Sequence, residues 1–214
     1  MNIQARSGQE GSTACPPARL DDIQRINEKL FLIATDPEYG TSSLQYLGAS
    51  PSVARRLGTA PAPGVATAIR CELPLIRVTS HLEELLSLDA NRWRIAGTGE
   101  GPSAVTELTL FALRCAHELA IRDAMAAKVL FGFSGIDVAE KLAGLGVWHQ
   151  DALGRSARAL IRIREEHDVD WWGRVLIGER CAGPKALRFA RYAAQQRMDI
   201  YRSRAARTMT TKSR

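Results

Sequence analysis

Apolar residues recur along the chain at helical spacing, in short runs punctuated by glycine and proline. From Leu20 to Ala34, Ile23, Ile26, Leu30 and Ile33 share one face behind Asp21 and Asp22, acids whose place in a first turn suits the helix dipole. "DPEYG" ends that helix, and "TSSLQYLG" supplies a short one with Leu44 and Leu47 inward. Gly48 then turns the chain. Ser50 stands at an N-cap position and Pro51 at the first helical position, where a missing N–H costs nothing, so "SVARRL" opens a further helix. "GTAPAPG" closes it. "VATAIRCELPLIRV" reads as helical through Cys71 or as partly extended around Pro74, and "HLEELLSLD" as another short amphipathic helix.

Gly97, Gly99, Gly101 and Pro102 make the stretch from Gly97 to Ser103 the best boundary in the chain. Beyond it the helical period holds from Val105 to about Leu130, and Gly132 stops it. Ser134 with Asp137 has the spacing of a capping box, predicting a new helix with Val138, Ala139 and Leu142 inward. Trp148 to His167 reads as helical, with Arg155, Arg158, Arg162 and Arg164 interleaved among Leu153, Ala157, Leu160 and Ile161. "VDWWGRVLIG" reads as a short apolar helix, and Lys185 to Arg207 as a final helix with Arg188, Arg191 and Tyr192 at i, i+3, i+4 spacing. The expected fold is mostly α, with two related helical subdomains that each contain a helix-turn-helix. A lead of residues 1–19 is expected to be disordered. The subdomains span 20–96 and 104–183 about a linker at 97–103, and a basic helix and tail span 184–214.

The two subdomains are called related because one phrase occurs twice. "LQYLGASPSVARRL", Leu44 to Leu57, and "VLFGFSGIDVAEKL", Val129 to Leu142, align Gly48 with Gly132 and Ser50 with Ser134. With one extra residue in the second copy, Val53, Ala54 and Leu57 fall on Val138, Ala139 and Leu142. Glycine permits a tight turn, a hydroxyl caps the next helix, alanine allows close crossing, and leucine anchors the second helix. A helix-turn-helix has these requirements, and its second helix can enter a major groove. Any two packed helices joined by Gly-x-Ser share them, so the phrase alone leaves both readings open. On the outward positions, Ser52, Arg55 and Arg56 suit base or phosphate contact; of the second pair, Glu140 and Lys141, only Lys141 does.

Charge sharpens the nucleic-acid reading. The 214 residues carry a net +6, and Gly173 to Arg214 alone hold eleven Lys and Arg against Glu179 and Asp199, a net +9. Arginines there release counterions condensed on a polyanion, so duplex DNA is the expected partner, with Arg188, Arg191, Arg202 and Arg204 contributing alongside Arg155, Arg158 and Arg162. A solvated basic tail is the plainer alternative. Apolar residues are 45% and charged residues 24% of the chain, with no run long enough for a membrane span and no apolar core of a secretory signal near the start. No membrane partner is expected. Cys15, Cys71, Cys115 and Cys181 lie far apart with no C-x-x-C pair, which fits reduced thiols in a cytoplasm and gives no zinc spacing.

These residues bring a family into view. The first half, with "INEKLFLIA", "LQYLGASPSVARRL" and "IRCELPLIRV", resembles the flagellar activator FlhD, in which a leucine-rich helix leads to a glycine turn, a short helix and a cysteine-containing segment. The second half, with "ALRCAHELAIRDAMAAKVLFGFSGIDVAEKLAGL" and "DVDWW", looks like the N-terminal part of FlhC and of related activators from conjugative elements. The resemblance runs from Leu20 to Trp172 on short, degenerate motifs. It implies a transcriptional activator of flagellar or mobile-element genes, working as a homo- or hetero-oligomer with an FlhC- or FlhD-like partner, binding promoter DNA and engaging RNA polymerase. It also matches Cys71 to a cysteine that forms an intersubunit disulfide in some relatives. The four-cysteine zinc site of FlhC has no counterpart, because only Cys181 lies beyond Cys115.

Catalysis has little support. His81, His117, His149 and His167 lack the company of metal or general-base sites: His117-Glu118 is without the second histidine of H-E-x-x-H, and Glu165 to Asp168 reads as an exposed helix end. The glycines of 97–103 lack the G-K-[ST] ending of a phosphate loop, and no nucleophile elbow or dinucleotide fingerprint occurs. Neither an enzyme nor a cofactor is expected. The rival reading is a helical adaptor of a secretion or conjugation apparatus, with Trp148, Trp171 and Trp172 as protein contacts or as core residues.

Overall fold

The computed structural model describes residues 20–88, 102–146, 149, 153 and 159–178, and within them the chain is mostly α-helical. The first half runs α1 (Leu20–Ala34), α2 (Gly40–Tyr46), α3 (Pro51–Gly58), α4 (Ala62–Ile69), β1 (Ile76–Val78) and α5 (Ser80–Ser87). The second runs α6 (Ser103–Arg122), α7 (Ala124–Phe131), α8 (Ile136–Ala143), β2 (Ile161–Ile163) and α9 (Val169–Leu176). α1 buries the face its periodicity marks: Ile23, Ile26 and Leu30 are all at most 3% exposed.

The two strands bring the halves together. β1 and β2 pair antiparallel with Arg77 opposite Arg162, Ile76 opposite Ile163 and Val78 opposite Ile161. Flanking this ladder, the Thr79 N–H donates to Leu160 O and the Arg164 N–H to Leu75 O, both at 2.9 Å. Leu75-Ile76-Arg77-Val78 and Leu160-Ile161-Arg162-Ile163 differ only by Val78 for Ile163, and the ladder that pairs them has the connectivity of a two-fold axis passing between the arginines. The helices follow the same relation. α1 packs on α6, and β1 packs on α7 while the Ile163 N–H bonds Leu47 O just after α2 at 3.0 Å.

The closing helix of each half seats on the other half: α5 packs against α8, and α9 against α3 and α4. Trp172 of α9 is fully buried and its indole Nε1 donates to Arg164 O at 3.1 Å. Trp171 meets it edge-on at 5.0 Å. One hydrophobic core, from Ile23 through Leu113 to Leu176, runs through both halves.

Three local expectations change, and one open reading is resolved. Trp148 to His167 is not a continuous helix, since Ile161–Ile163 forms β2; the alternation Ile-Arg-Ile places both isoleucines inward, and the partner strand that makes this pay lies far away in sequence. The helix expected to hold its period to Leu130 breaks at Asp123 (φ −155°, ψ 93°), whose carboxylate caps α7 by accepting from the Ala126 N–H at 3.0 Å. Ser134 does not cap α8. Gly135 occupies the cap position with no side-chain bond, because the Ser134 N–H and hydroxyl both donate to Glu83 of α5 at 2.7 Å. The segment left open between Val65 and Val78 is helical to Ile69 and extended from Ile76. Of the expected linker, 97–101 lie outside the described residues, as do 1–19 and 179–214.

Candidate nucleic-acid interface

Each repeated phrase folds as two helices about a left-handed glycine. Gly48 has φ +89° and Gly132 φ +74°, a region that side chains disfavour. A Cβ on Gly48 would meet the Cβ of Arg162 at 3.7 Å, and one on Gly132 the Cβ of Arg77 at 3.4 Å. Each turn therefore rests on the central arginine of the other half's strand.

α3 is assembled as its sequence requires. The Ser50 hydroxyl accepts from the Val53 N–H at 3.3 Å, Pro51 fills the first turn, and Val53, Ala54 and Leu57 are buried. Those inward positions leave Ser52, Arg55 and Arg56 exposed. Ser52 Oγ lies 3.0 Å from Ser50 Oγ. Arg56 lies along α9: its guanidinium is 3.4 Å from where a Gly173 Cβ would stand, an ordinary contact distance. The start of α3 is fixed to the loop after β2 by the Ser50 N–H, which donates to Glu166 O at 2.8 Å. In α8, Ala139 and Leu142 are buried and Asp137, Glu140 and Lys141 are exposed.

Arg162, expected on an outward helical face, is instead the central residue of β2 and only partly exposed. Its Nη1 donates to Glu166 Oε1 at 3.2 Å, and Arg77 Nη2 donates to both Glu166 oxygens at 3.0 Å. Burial pushes the Glu166 carboxyl up, but a backbone N–H and the two arginines outweigh it and hold the group below the ordinary carboxylate range. Arg155, Arg158, Arg188, Arg191, Arg202 and Arg204 lie outside the described residues.

Three residues that sequence reading did not single out as structural centres hold this framework. Asn27 is fully buried in α1; its amide donates to the Cys71 and Leu73 carbonyls at 3.2 Å each, and its Oδ1 accepts from the Leu75 N–H at 2.8 Å. It fastens the extended segment that delivers β1. Arg164 does the equivalent for β2, donating from Nε to Pro74 O at 2.7 Å and from Nη2 to Leu130 O. Desolvation, with the neighbouring Arg77 charge, pushes its guanidinium down to about 10. Arg77 is the third, through Glu166. An asparagine at a core-facing helical position was the one visible signal, since a buried amide demands partners.

The described residues contain 13 Lys and Arg against 17 Asp and Glu, a net −4, so the surplus positive charge of the chain lies outside them. An acidic-rimmed recess of about 630 Å³ opens beside Arg77 and is lined by Glu165, Glu166, His167, Asp168 and Asp170. A second, of about 500 Å³, lies between α3, α4 and α9, lined by Arg56, Pro61, Pro63, Thr67, Leu176 and Ile177. Among the described residues no three His, Cys, Asp or Glu come together as a metal-holding group, and no helix is long and apolar enough to cross a membrane. His117 is bonded to Leu145 O at 3.0 Å, and His81 lies 3.5 Å from Glu84. Family models, curated protein sequences and solved structures give no match to this chain.

Proposed function

We propose that the chain is a DNA-binding transcriptional activator of the cytoplasm, acting alone or as one subunit of an FlhD/FlhC-like complex that engages RNA polymerase. The observation that carries this reading is the outward face of α3, where Ser52, Arg55 and Arg56 stand exposed after a left-handed glycine turn. An arginine on the second helix of such a pair has the reach and fork geometry to contact guanine edges or phosphates. The basic charge beyond Gly178 supplies what the described residues lack, a sequence-independent attraction to phosphates.

A gel mobility-shift titration on duplex from upstream of the protein's own operon, with and without an FlhC-like partner, tests it. Binding should weaken steeply with salt, and deleting residues 202–214 should lower affinity for all sequences and flatten the salt slope. Binding indifferent to salt and to that deletion would remove the polyanion reading.

The adaptor reading has an observation of its own. The net −4 of the described residues and the 66% exposure of Ile177 beside the recess between α3, α4 and α9 suit a protein contact better than a phosphate contact. Failure of the mobility shift, with and without the partner, would favour it.

A further inference from the structure

The two-fold relation gives one chain two copies of the same reading device, and their outward faces differ. Ser52 corresponds to Asp137, Arg55 to Glu140 and Arg56 to Lys141, counting from the shared turn and allowing for the extra Gly135. All six are exposed. The α3 set carries two positive charges and no negative one; the α8 set carries two negative charges and one positive. The turns differ in the same sense. In the first unit the Ser50 N–H is met by a backbone carbonyl, that of Glu166, whereas in the second the Ser134 N–H is met by the Glu83 carboxylate. The start of α8 thus carries Asp137 and meets the Glu83 carboxylate of α5, whereas α3 itself begins with neutral Ser50, Pro51 and Ser52 and meets the acidic loop after β2 through the Glu166 backbone.

Phosphates that approach α8 face Glu83, Asp137 and Glu140, three carboxylates against the single positive charge of Lys141. Resting on the DNA-binding reading above, we infer that the ligand is a lopsided duplex site: α3 reads the bases of one half-site through Arg55 and Arg56, and α8 reads none. A homodimer of identical readers selects an inverted repeat. This chain, carrying its two readers in one polypeptide, is free of that constraint, and its second reader has lost the charge that reading needs.

The test is affinity selection by the full chain from a pool of duplexes with a randomised 30-base-pair centre, followed by sequencing. One informative half-site, with no inverted partner, is the expected result. Arg55→Ala with Arg56→Ala should abolish the enrichment by about tenfold or more while leaving binding to random duplex in place. Glu140→Ala should leave the recovered motif unchanged. A triple variant that copies the first unit onto the second, Asp137→Ser with Glu140→Arg and Lys141→Arg, should add a second, inverted half-site. All of these positions are exposed, and unchanged thermal melts of each variant establish that folding is intact. Two inverted half-sites from the wild-type chain, one of which survives Arg55→Ala with Arg56→Ala, would overturn the inference and leave DNA binding standing. No enrichment by folded wild-type protein would overturn both.

Discussion

Arg77 and Arg162 face each other across the two-stranded ladder and share a single carboxylate, Glu166, which Arg77 grips at 3.0 Å through both oxygens and Arg162 reaches at 3.2 Å. Two cations opposed in one register repel unless an anion lies between them. Glu166→Gln should therefore cost about 1–2 kcal/mol at pH 7, discounted for the partial exposure of both arginines. Because the folded carboxyl ionises below its unfolded value, its contribution is present above the unfolded range and is lost as pH falls through the folded one. Urea unfolding should show wild type and Glu166→Gln differing at pH 7 and converging in acid. A gap that persists at acid pH would assign the loss to packing.

Asn27 satisfies three buried backbone groups with one side chain. Asn27→Ala leaves the Leu75 N–H and the Cys71 and Leu73 carbonyls without that partner, and should destabilise the protein by about 3 kcal/mol. Asn27→Asp keeps the acceptor for Leu75 and loses both donors, so it should fare no better at pH 7. Denaturant midpoints with an unchanged slope would establish both values.

The glycines of the two turns and the glycine that opens α2 resist substitution for different reasons. Gly48→Ala and Gly132→Ala should each cost about 1–2 kcal/mol through the left-handed backbone alone, and Gly48→Asn should recover part of that. A Cβ on Gly40 would stand 2.8 Å from Ala34 O and 2.9 Å from Ile33 O, so Gly40→Asn should be as damaging as Gly40→Ala. Thermal melts of the five variants separate strain from clash.

Cys71 is 1% exposed, and burial together with the Asp22 and Glu118 charges pushes the Cys115 thiol up to about 12. In a Cys15→Ser, Cys181→Ser chain, buried Cys71 should react with an aromatic disulfide reagent at pH 8 only as fast as the protein unfolds, and partly exposed Cys115 more slowly than a free thiol. Rapid labelling of Cys71 in the folded state would revive the intersubunit disulfide that the family resemblance implies.

Much of the helical framework was legible because it is local. Leu20–Ala34 has its apolar face and its acids in sequence order, and Ser50-Pro51 and the two turn glycines announce a cap and a break within a few residues. The exposed set Ser52, Arg55 and Arg56 follows from which positions of α3 are apolar. What escaped was decided at a distance. Ile161–Ile163 is a strand because Ile76–Val78 is beside it, and Ser134 forgoes its cap because Glu83 of α5 takes its donors. The helix period carries straight across Asp123, so only backbone geometry reveals the break between α6 and α7. Arg162, one more arginine in a basic string by sequence, is held at the ladder's centre for the same long-range reason.

The traded helices set an order of events during synthesis. Glu83 leaves the ribosome 51 positions ahead of Ser134, its partner, and α5 emerges with Leu82, Leu85 and Leu86 still awaiting α8. The surface on α3 and α4 waits longer, until Trp172 and Leu176 arrive. Neither half can finish first, and a released chain truncated after Gly146 should already seat α5 yet leave α3 and α4 open to a protease. Two units that in separate molecules would have to find each other by diffusion are here delivered in sequence, one at the other's side, with the last turn of α9 as the closing event.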